Sequence, residues 1–207
     1  MSDIEIKTYK VGRLLTNFYV VLCKDSKCGI MIDPGGEVED LKSQIDGFDL
    51  KYIFLTHGHF DHILKAKKYR NVFGAKIVIS RTEYKFTNDN FLNLSDRFLK
   101  PNTLENFESD KIVDDKDEIC FGACKAKVIV TPGHTWGSVC YIIDDNIFSG
   151  DTLFKGQCGC TRFPTGSKTD MKSSLLKLYN LNYNFKVYPG HGDTTMLYTE
   201  KNNHTGL

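Results

Sequence analysis

The chain has 207 residues, enough for one generous domain with a real core and no need of disulfides to hold it together. Its 27 basic and 26 acidic residues leave a formal charge of +1, which argues against a broad cationic face for nucleic acid or anionic lipid. With 41% apolar and 26% charged residues and a mean hydropathy of −0.32 it reads as globular, and its longest unbroken apolar run, Phe18–Cys23, is far short of the ~20 residues of a membrane helix.

The start, MSDIEIK, carries no export signal, and seven cysteines are an odd number for a disulfide framework; both point to the cytoplasm. Ile4 and Ile6 alternate with Glu5 and Lys7, and Phe18–Cys23 and Gly29–Ile32 are apolar runs of strand length. After Asp33-Pro34-Gly35-Gly36, the spacing of Val38, Leu41 and Ile45 predicts an amphipathic helix over 37–46. Tyr52–Leu55 reads as a buried strand, followed by Thr56-His57-Gly58-His59-Phe60-Asp61-His62, a helix from Ile63 to Val72 and a strand at Lys76–Ile79. Residues 81–110 are the least legible: Tyr84, Phe86, Phe91, Leu94, Phe98 and Leu104 fit a short helix or a lid. Further strands are expected at Lys125–Val130, Val139–Ile143, Asn146–Ser149 and Lys186–Tyr188, with a helix marked by Met171, Leu175 and Leu178 before the last. Strand-rich halves that each end in a helix predict two sheets packed face to face with helices outside.

Five of the six histidines stand beside Gly, Asp or Pro at the ends of apolar strands, where a rigid scaffold presents reactive groups. In an extended chain residues two apart point the same way, so His57 and His59 can converge on one ion. Asp61 sits where an N-cap would open the 63–72 helix and re-aims His62, so these two can serve a second ion beside the first. His134 in Thr131-Pro132-Gly133-His134, Asp151 in Ser149-Gly150-Asp151-Thr152 and His191 in Pro189-Gly190-His191-Gly192 repeat one grammar of strand, small residue and metal-type ligand. Imidazole and carboxylate without thiolate suit Zn²⁺, and also Fe²⁺ or Mn²⁺. Asp33 and Thr56 either orient ligating imidazoles by hydrogen bonds or cap strand ends. Cys158 and Cys160 read as small loop residues, and Asp114–Glu118 as a solvated turn.

The set H-x-H-x-D-H at 57–62, P-G-H at 132–134, G-D-T-L-F at 150–154 and P-G-H-G at 189–192 resembles the metallo-β-lactamase superfamily over nearly the whole chain. The resemblance implies an α/β fold, a four-layer αββα sandwich of two mixed sheets with helices outside and the site at one edge. It implies that His57, His59 and His134 hold a first metal, that Asp61, His62 and His191 hold a second, and that Asp151 bridges them. The Asp151-Thr152-Leu153-Phe154 and Pro189-Gly190-His191-Gly192 segments look like glyoxalase II and its short relatives. Little chain follows His191, so the expectation is one metallo-hydrolase domain over 1–207 without the helical glutathione-binding domain of full-length glyoxalase II.

The activity so implied is hydrolysis of a small-molecule thioester by water activated on two divalent ions, most simply zinc, with Asp61 orienting that water. The sequence departs from the pattern of the short relatives, which read G-R-T-D where Gly159-Cys160-Thr161-Arg162 stands here. Arg162, with Lys155 and Lys168, supplies the loop cations expected to meet substrate. The alternative within the superfamily is a mononuclear iron persulfide dioxygenase using only His57, His134 and Asp151. No nucleic-acid partner and no membrane are expected.

Overall fold

The computed structural model describes residues 3–203; His204, read from the sequence as a polar-tail residue with no ligand neighbour, lies outside the described residues. Strand β1 (Ile4–Val11) pairs antiparallel with β2 (Thr16–Cys23), and β2 pairs antiparallel with β3 (Cys28–Ile32). The chain then turns through the one-turn helix α1 (Leu41–Gln44) into β4 (Asp49–Phe54), which lies parallel to β3. Helices α2 (Phe60–Ile63) and α3 (Ala66–Phe73) lead to β5 (Lys76–Ser80), parallel to β4. A 3₁₀ turn at Tyr84–Asn88 and helix α4 (Ser95–Phe98) precede β6 (Lys111–Val113), which closes the first six-stranded sheet. The second sheet takes β7 (Glu118–Phe121), β8 (Cys124–Val130), β9 (Val139–Ile143) and β10 (Asn146–Gly150) as an antiparallel run. Helix α5 (Lys168–Tyr179) then crosses to β11 (Lys186–Pro189), parallel to β10, and β12 (Thr195–Met196) and α6 (Leu197–Asn203) follow.

The pleat explains the layers. In β2 every residue is buried, because Tyr19 and Val21 face the second sheet while Phe18, Val20 and Leu22 face the helices. Between the sheets, Tyr19, Phe54 and Val78 pack on Val128, Tyr141 and Phe148. Outside the second sheet, Ile129, Ile147 and Val187 pack on Met171, Leu175 and Leu178 of α5. Three apolar layers between four structural ones make the αββα sandwich. Helix α5 is opened by Ser167, whose hydroxyl accepts the Asp170 N–H.

Two helices depart from the sequence pattern. The stretch expected to be helical over 37–46 forms only α1, because residues 37–38 are tied to α3: the Val38 N–H donates to the Tyr69 hydroxyl at 2.9 Å, and Glu37 pairs with Lys65 and Lys68. The helix expected from Ile63 to Val72 starts earlier and breaks in two. The Lys65 N–H donates to the Pro34 carbonyl at 2.9 Å, and Gly35 lies so close to the Asp61 carbonyl that a Cβ there would sit 1.4 Å from it. Asp61 is therefore inside α2, not its N-cap; His59 holds that position. Segment 81–110 buries Phe86, Leu94, Leu104 and Phe107 as part of the core and leaves Tyr84, Phe91 and Phe98 exposed. No helix of the described residues is long and apolar enough to cross a membrane.

Candidate metal centre

Four loops meet at one edge of the sandwich, each leaving the C-terminal end of a strand: Thr56–His62 after β4, Thr131–His134 after β8, Asp151 after β10 and Gly190–His191 after β11. Cross-sheet hydrogen bonds hold them together. The Val139 N–H donates to Thr56 O, the Tyr141 hydroxyl to Leu55 O and the Tyr19 hydroxyl to Pro189 O. The Asn17 N–H donates to Gly190 O, so β2 buttresses the last loop.

The side chains converge. His57, His59 and His134 form one group of potential ligands, Asp61, His62 and His191 a second, and Asp33, His57 and His62 a third that links them. His59 Nδ1 lies 2.9 Å from His134 Nε2. Asp151 stands between the groups: its Oδ1 is 3.4 Å from His62 Nε2, and its Oδ2 is 3.4 Å from His134 Nε2 and 3.6 Å from His191 Nε2. Asp61 Oδ2 lies 3.3 Å from His191 Nε2 and 3.5 Å from His62 Nε2. The carboxylate–imidazole separations, unlike the 2.9 Å between the two imidazoles, are long for hydrogen bonds and close to the ~3.3 Å between two tetrahedral ligands each about 2 Å from one ion.

Outer hydrogen bonds decide which nitrogen faces inward. Asp33 is the hub: its carboxylate accepts the Thr56 N–H at 2.8 Å, the Thr56 hydroxyl at 2.6 Å and the His62 Nδ1–H at 2.9 Å. With its proton given to Asp33, the Thr56 oxygen is left to accept from His57 Nδ1, 3.1 Å away. Asp33 thus orients one imidazole in each group, and it does so with a left-handed backbone, φ 53°, a conformation that Asp tolerates better than most residues. His134 Nδ1 donates to the Cys160 carbonyl at 2.7 Å and His191 Nδ1 to the Leu14 carbonyl at 3.1 Å. A Cβ on Gly190 would sit 2.2 Å from Asp151 Oδ1 and 2.7 Å from His62 Cε1, so only glycine lets the loop pass behind the pair.

Burial pushes His57 well below the usual imidazole range, reinforced by the neighbouring histidines, and pushes His59 to about 3 and His134 down as well. Burial acts the same way on His62, but Asp61, Asp151 and Asp33 together outweigh it and raise that imidazole. Against its own burial, Asp61 is held down at about 2 by His62 and His191, and Asp151 is lowered by His62 and His134. Against its own burial, His191 is raised too, by Asp61 and Asp151. His57, His59 and His134 are thus held neutral and the carboxylates ionised, as a cation needs, whereas His62 and His191 must give up a proton for one to bind. His57 Nε2, His62 Nε2 and Asp151 Oδ1 are buried with no hydrogen-bond partner, a costly arrangement unless something else satisfies them. These orphaned atoms, aimed at common points by fixed outer hydrogen bonds, fit a divalent metal ion.

Lys155, Arg162 and Lys168 are exposed, and Lys155 reaches Asp193 at 3.8 Å. The Cys158 and Cys160 thiols are free. Three contributors had no sequence signal. Thr16 donates its hydroxyl to Asp61 Oδ2 at 2.8 Å. Glu83, fully buried, accepts the Gly58 N–H at 2.9 Å and the Gly137 N–H at 2.8 Å, pinning the backbone between His57 and His59 to the loop after His134. Phe163 sets its ring edge against His59, centroids 5.8 Å apart.

Comparison with known proteins bears on the family and the fold. The family model for the metallo-beta-lactamase superfamily matches residues 11–191. A relative from Haemophilus influenzae named hydroxyacylglutathione hydrolase GloC is 36% identical over 183 residues, covering 86% of each chain. The solved structure of the BLEG-1 B3 metallo-beta-lactamase superposes with a TM-score of 0.89 at 29% identity, covering 98% of both chains. That of TTHA1623 in a di-iron-bound form superposes with a TM-score of 0.83 at 26% identity, covering 97% of this chain and all of the other.

Proposed function

The chain belongs to the metallo-β-lactamase superfamily, and from that premise we propose that it is a binuclear metal-dependent thioesterase acting on hydroxyacyl-thiol esters. The observation that carries this reading is Asp151, whose two oxygens face His62 on one side and His134 and His191 on the other. In this reading His57, His59 and His134 hold one ion, Asp61, His62 and His191 hold the second, and Asp151 serves both. The name of the Haemophilus relative supports the substrate class. The donor set, nitrogen and oxygen without thiolate, supports zinc, with iron or manganese as substitutes.

When bound, such ions polarise a carbonyl and bring a water molecule's ionisation near neutral pH. The protein's own residues do the rest. Asp33, Thr56 and the Cys160 and Leu14 carbonyls engage the outer nitrogens of four imidazoles and so aim the inward nitrogens at the cluster. Asp61, ionised well below neutral pH and fixed through Oδ2 by Thr16, can accept a hydrogen bond from water and orient it toward a carbonyl carbon. A thiolate leaves without help, since an ordinary thiol ionises near pH 8.5, and the cluster's carboxylates carry no proton to give. No cysteine nucleophile is required, and burial pushes the Cys158 thiol up, away from the reactive thiolate. Among the described residues none of the seven cysteines forms a disulfide, which supports a reducing cytoplasm as its compartment.

The test is metal counting on purified protein together with hydrolysis of a lactoyl thioester. About two ions per chain are expected, with Asp151→Ala lowering both occupancies and His62→Ala emptying chiefly the second. A single tightly held iron in protein grown with excess zinc, with oxygen-dependent sulfite formation from a glutathione persulfide, would overturn the reading in favour of the dioxygenase.

A further inference from the structure

Beside the metal cluster lies a cavity of about 470 Å³, walled by Val11, Leu14, Phe60, Leu64, Phe98 and Leu99. Its polar contributors are few. Arg13, Lys100 and Thr103 stand with Thr16 and Asp61, the hydrogen-bonded pair that also belongs to the cluster. The cavity and the cluster are therefore continuous through Asp61. Leu14 joins them a second time, because its carbonyl holds His191 while its side chain, half exposed, lines the cavity. Phe98 stacks on Phe60 with centroids 5.5 Å apart and is also half exposed, an apolar surface with nothing covering it.

We infer that this cavity is the acyl pocket, built for an apolar acyl chain longer than the lactoyl group; the inference rests on the thioester reading above. The two arms of a thioester differ in what they need from a wall. A thiol carrier such as glutathione or coenzyme A brings carboxylates, amides or phosphates, which lose their hydration against aliphatic and aromatic carbon and find few partners there. An alkyl chain loses nothing and gains from the burial. The volume falls within the range of small-molecule sites lined mainly by apolar side chains with a few placed polar groups. With the carbonyl at the cluster, the chain enters past Asp61 and Thr16, and the thiol arm is left toward solvent. Arg13 and Lys100, the pocket's two cations, are both exposed, so water screens what they offer the carboxylates or phosphates of a thiol arm.

The experiment compares kcat/KM of the metal-loaded protein on acetyl, butyryl, hexanoyl and octanoyl thioesters of one small thiol. Each methylene that enters the pocket should raise kcat/KM roughly four-fold, the factor corresponding to about 0.8 kcal/mol, until the pocket is full. Phe98→Ala and Leu14→Asp, both at exposed positions that folding tolerates, should reduce the octanoyl-to-acetyl ratio by ten-fold or more. A ratio near one in the unmodified protein that nevertheless turns over acetyl thioester would overturn the pocket and leave the thioesterase standing. So would variants that change the ranking of thiols and leave the ranking of acyl chains intact. Calorimetric titration with octanoate and acetate reads the pocket without turnover: octanoate should bind at least ten-fold more tightly and lose that advantage in Leu14→Asp. Equal affinities would overturn the inference even where no thioester is hydrolysed.

Discussion

The loops that carry the histidines and the loops that wall the cavity are built differently. The residues of the first kind follow strands, and His57, His62, His134 and His191 are each fixed a second time by an outer hydrogen bond, as His62 is to Asp33 and His134 to Cys160 O. The second kind, the turn at 12–15 and the segment 91–104, leaves Leu14, Leu15, Phe91 and Phe98 about half exposed. Leu15 and Leu94 take left-handed conformations, φ 53° and 64°, that only the local turn geometry supports. The difference separates two tasks. Positions that must converge to within an ångström on a common point sit on the rigid layer, and positions that choose among substrates sit on loops free to vary.

The largest test of that separation is Asp33→Ala. It leaves the buried His62 Nδ1–H and the Thr56 N–H without an acceptor and releases the hydroxyl that partners His57. Removing one partner from such a buried set costs about 3–5 kcal/mol. Urea denaturation should show that loss, and metal analysis should show both positions weakened at once, because Asp33 reaches an imidazole of each group. Full metal content in a stable Asp33→Ala protein would mean that the ligand loops are held by the strands alone.

The second test concerns Glu83, the buried carboxyl between the two ligand loops. Burial pushes its pKa up to about 7 from 4.5, outweighing the hydrogen bonds it accepts from Thr135, Gly137 and Gly58. A raised folded-state value means that the folded protein keeps a proton that the unfolded chain has released. Its contribution is therefore fully present below pH 4.5 and is lost as pH rises through 7, an amount of about 2–4 kcal/mol. The histidines titrate over part of the same range, so the measurement is a difference: denaturation of metal-free protein from pH 4 to 8, set against Glu83→Gln, which cannot ionise. The unmodified protein should lose more stability across that window than the variant, and parallel curves would place Glu83 in contact with water.

Glu83 also marks where sequence reading stops. The histidine loops were legible because Gly, Pro and Asp interrupt apolar strands at each of them, a pattern written in neighbouring residues. Glu83 lies in Arg81-Thr82-Glu83-Tyr84-Lys85, which looks like any solvated turn; only the docking of β5 against the loop after His134 buries it. The helix expected over 37–46 failed for a similar reason. The apolar spacing of Val38, Leu41 and Ile45 is real, but Lys65, Lys68 and Tyr69, far along the chain, hold 37–38 outside the helix. Period and punctuation report local preference. Contacts made across the fold override it.

The smallest expected effect belongs to the exposed cations. Lys155 and Arg162 stand on the loop after Asp151, and Lys168 is the first residue of α5 rather than the loop residue the sequence suggested. The Lys155–Asp193 pair, 3.8 Å apart, has both side chains more than half exposed. Water screens such groups, so each contact they make to a charged thiol arm is worth about 1 kcal/mol or less, a factor of roughly five at most. The cavity proposed for the acyl chain differs in kind, because its walls are mostly aliphatic and aromatic and each methylene set against them is taken from water. Alanine at any one of the three cations should therefore change kcat/KM for a glutathione thioester by no more than about five-fold relative to a cysteamine thioester of the same acyl group. The same comparison in the unmodified protein, with coenzyme A as the third thiol, should show weak discrimination among leaving groups. A preference for glutathione above roughly 10³-fold would need a site that hydrogen-bonds buried polar atoms, since only that rejects analogues so strongly. Such a preference, surviving all three substitutions, would move thiol recognition off the exposed loops and onto the turn at 12–15 or the segment 91–104. The cavity they wall would then hold the thiol arm.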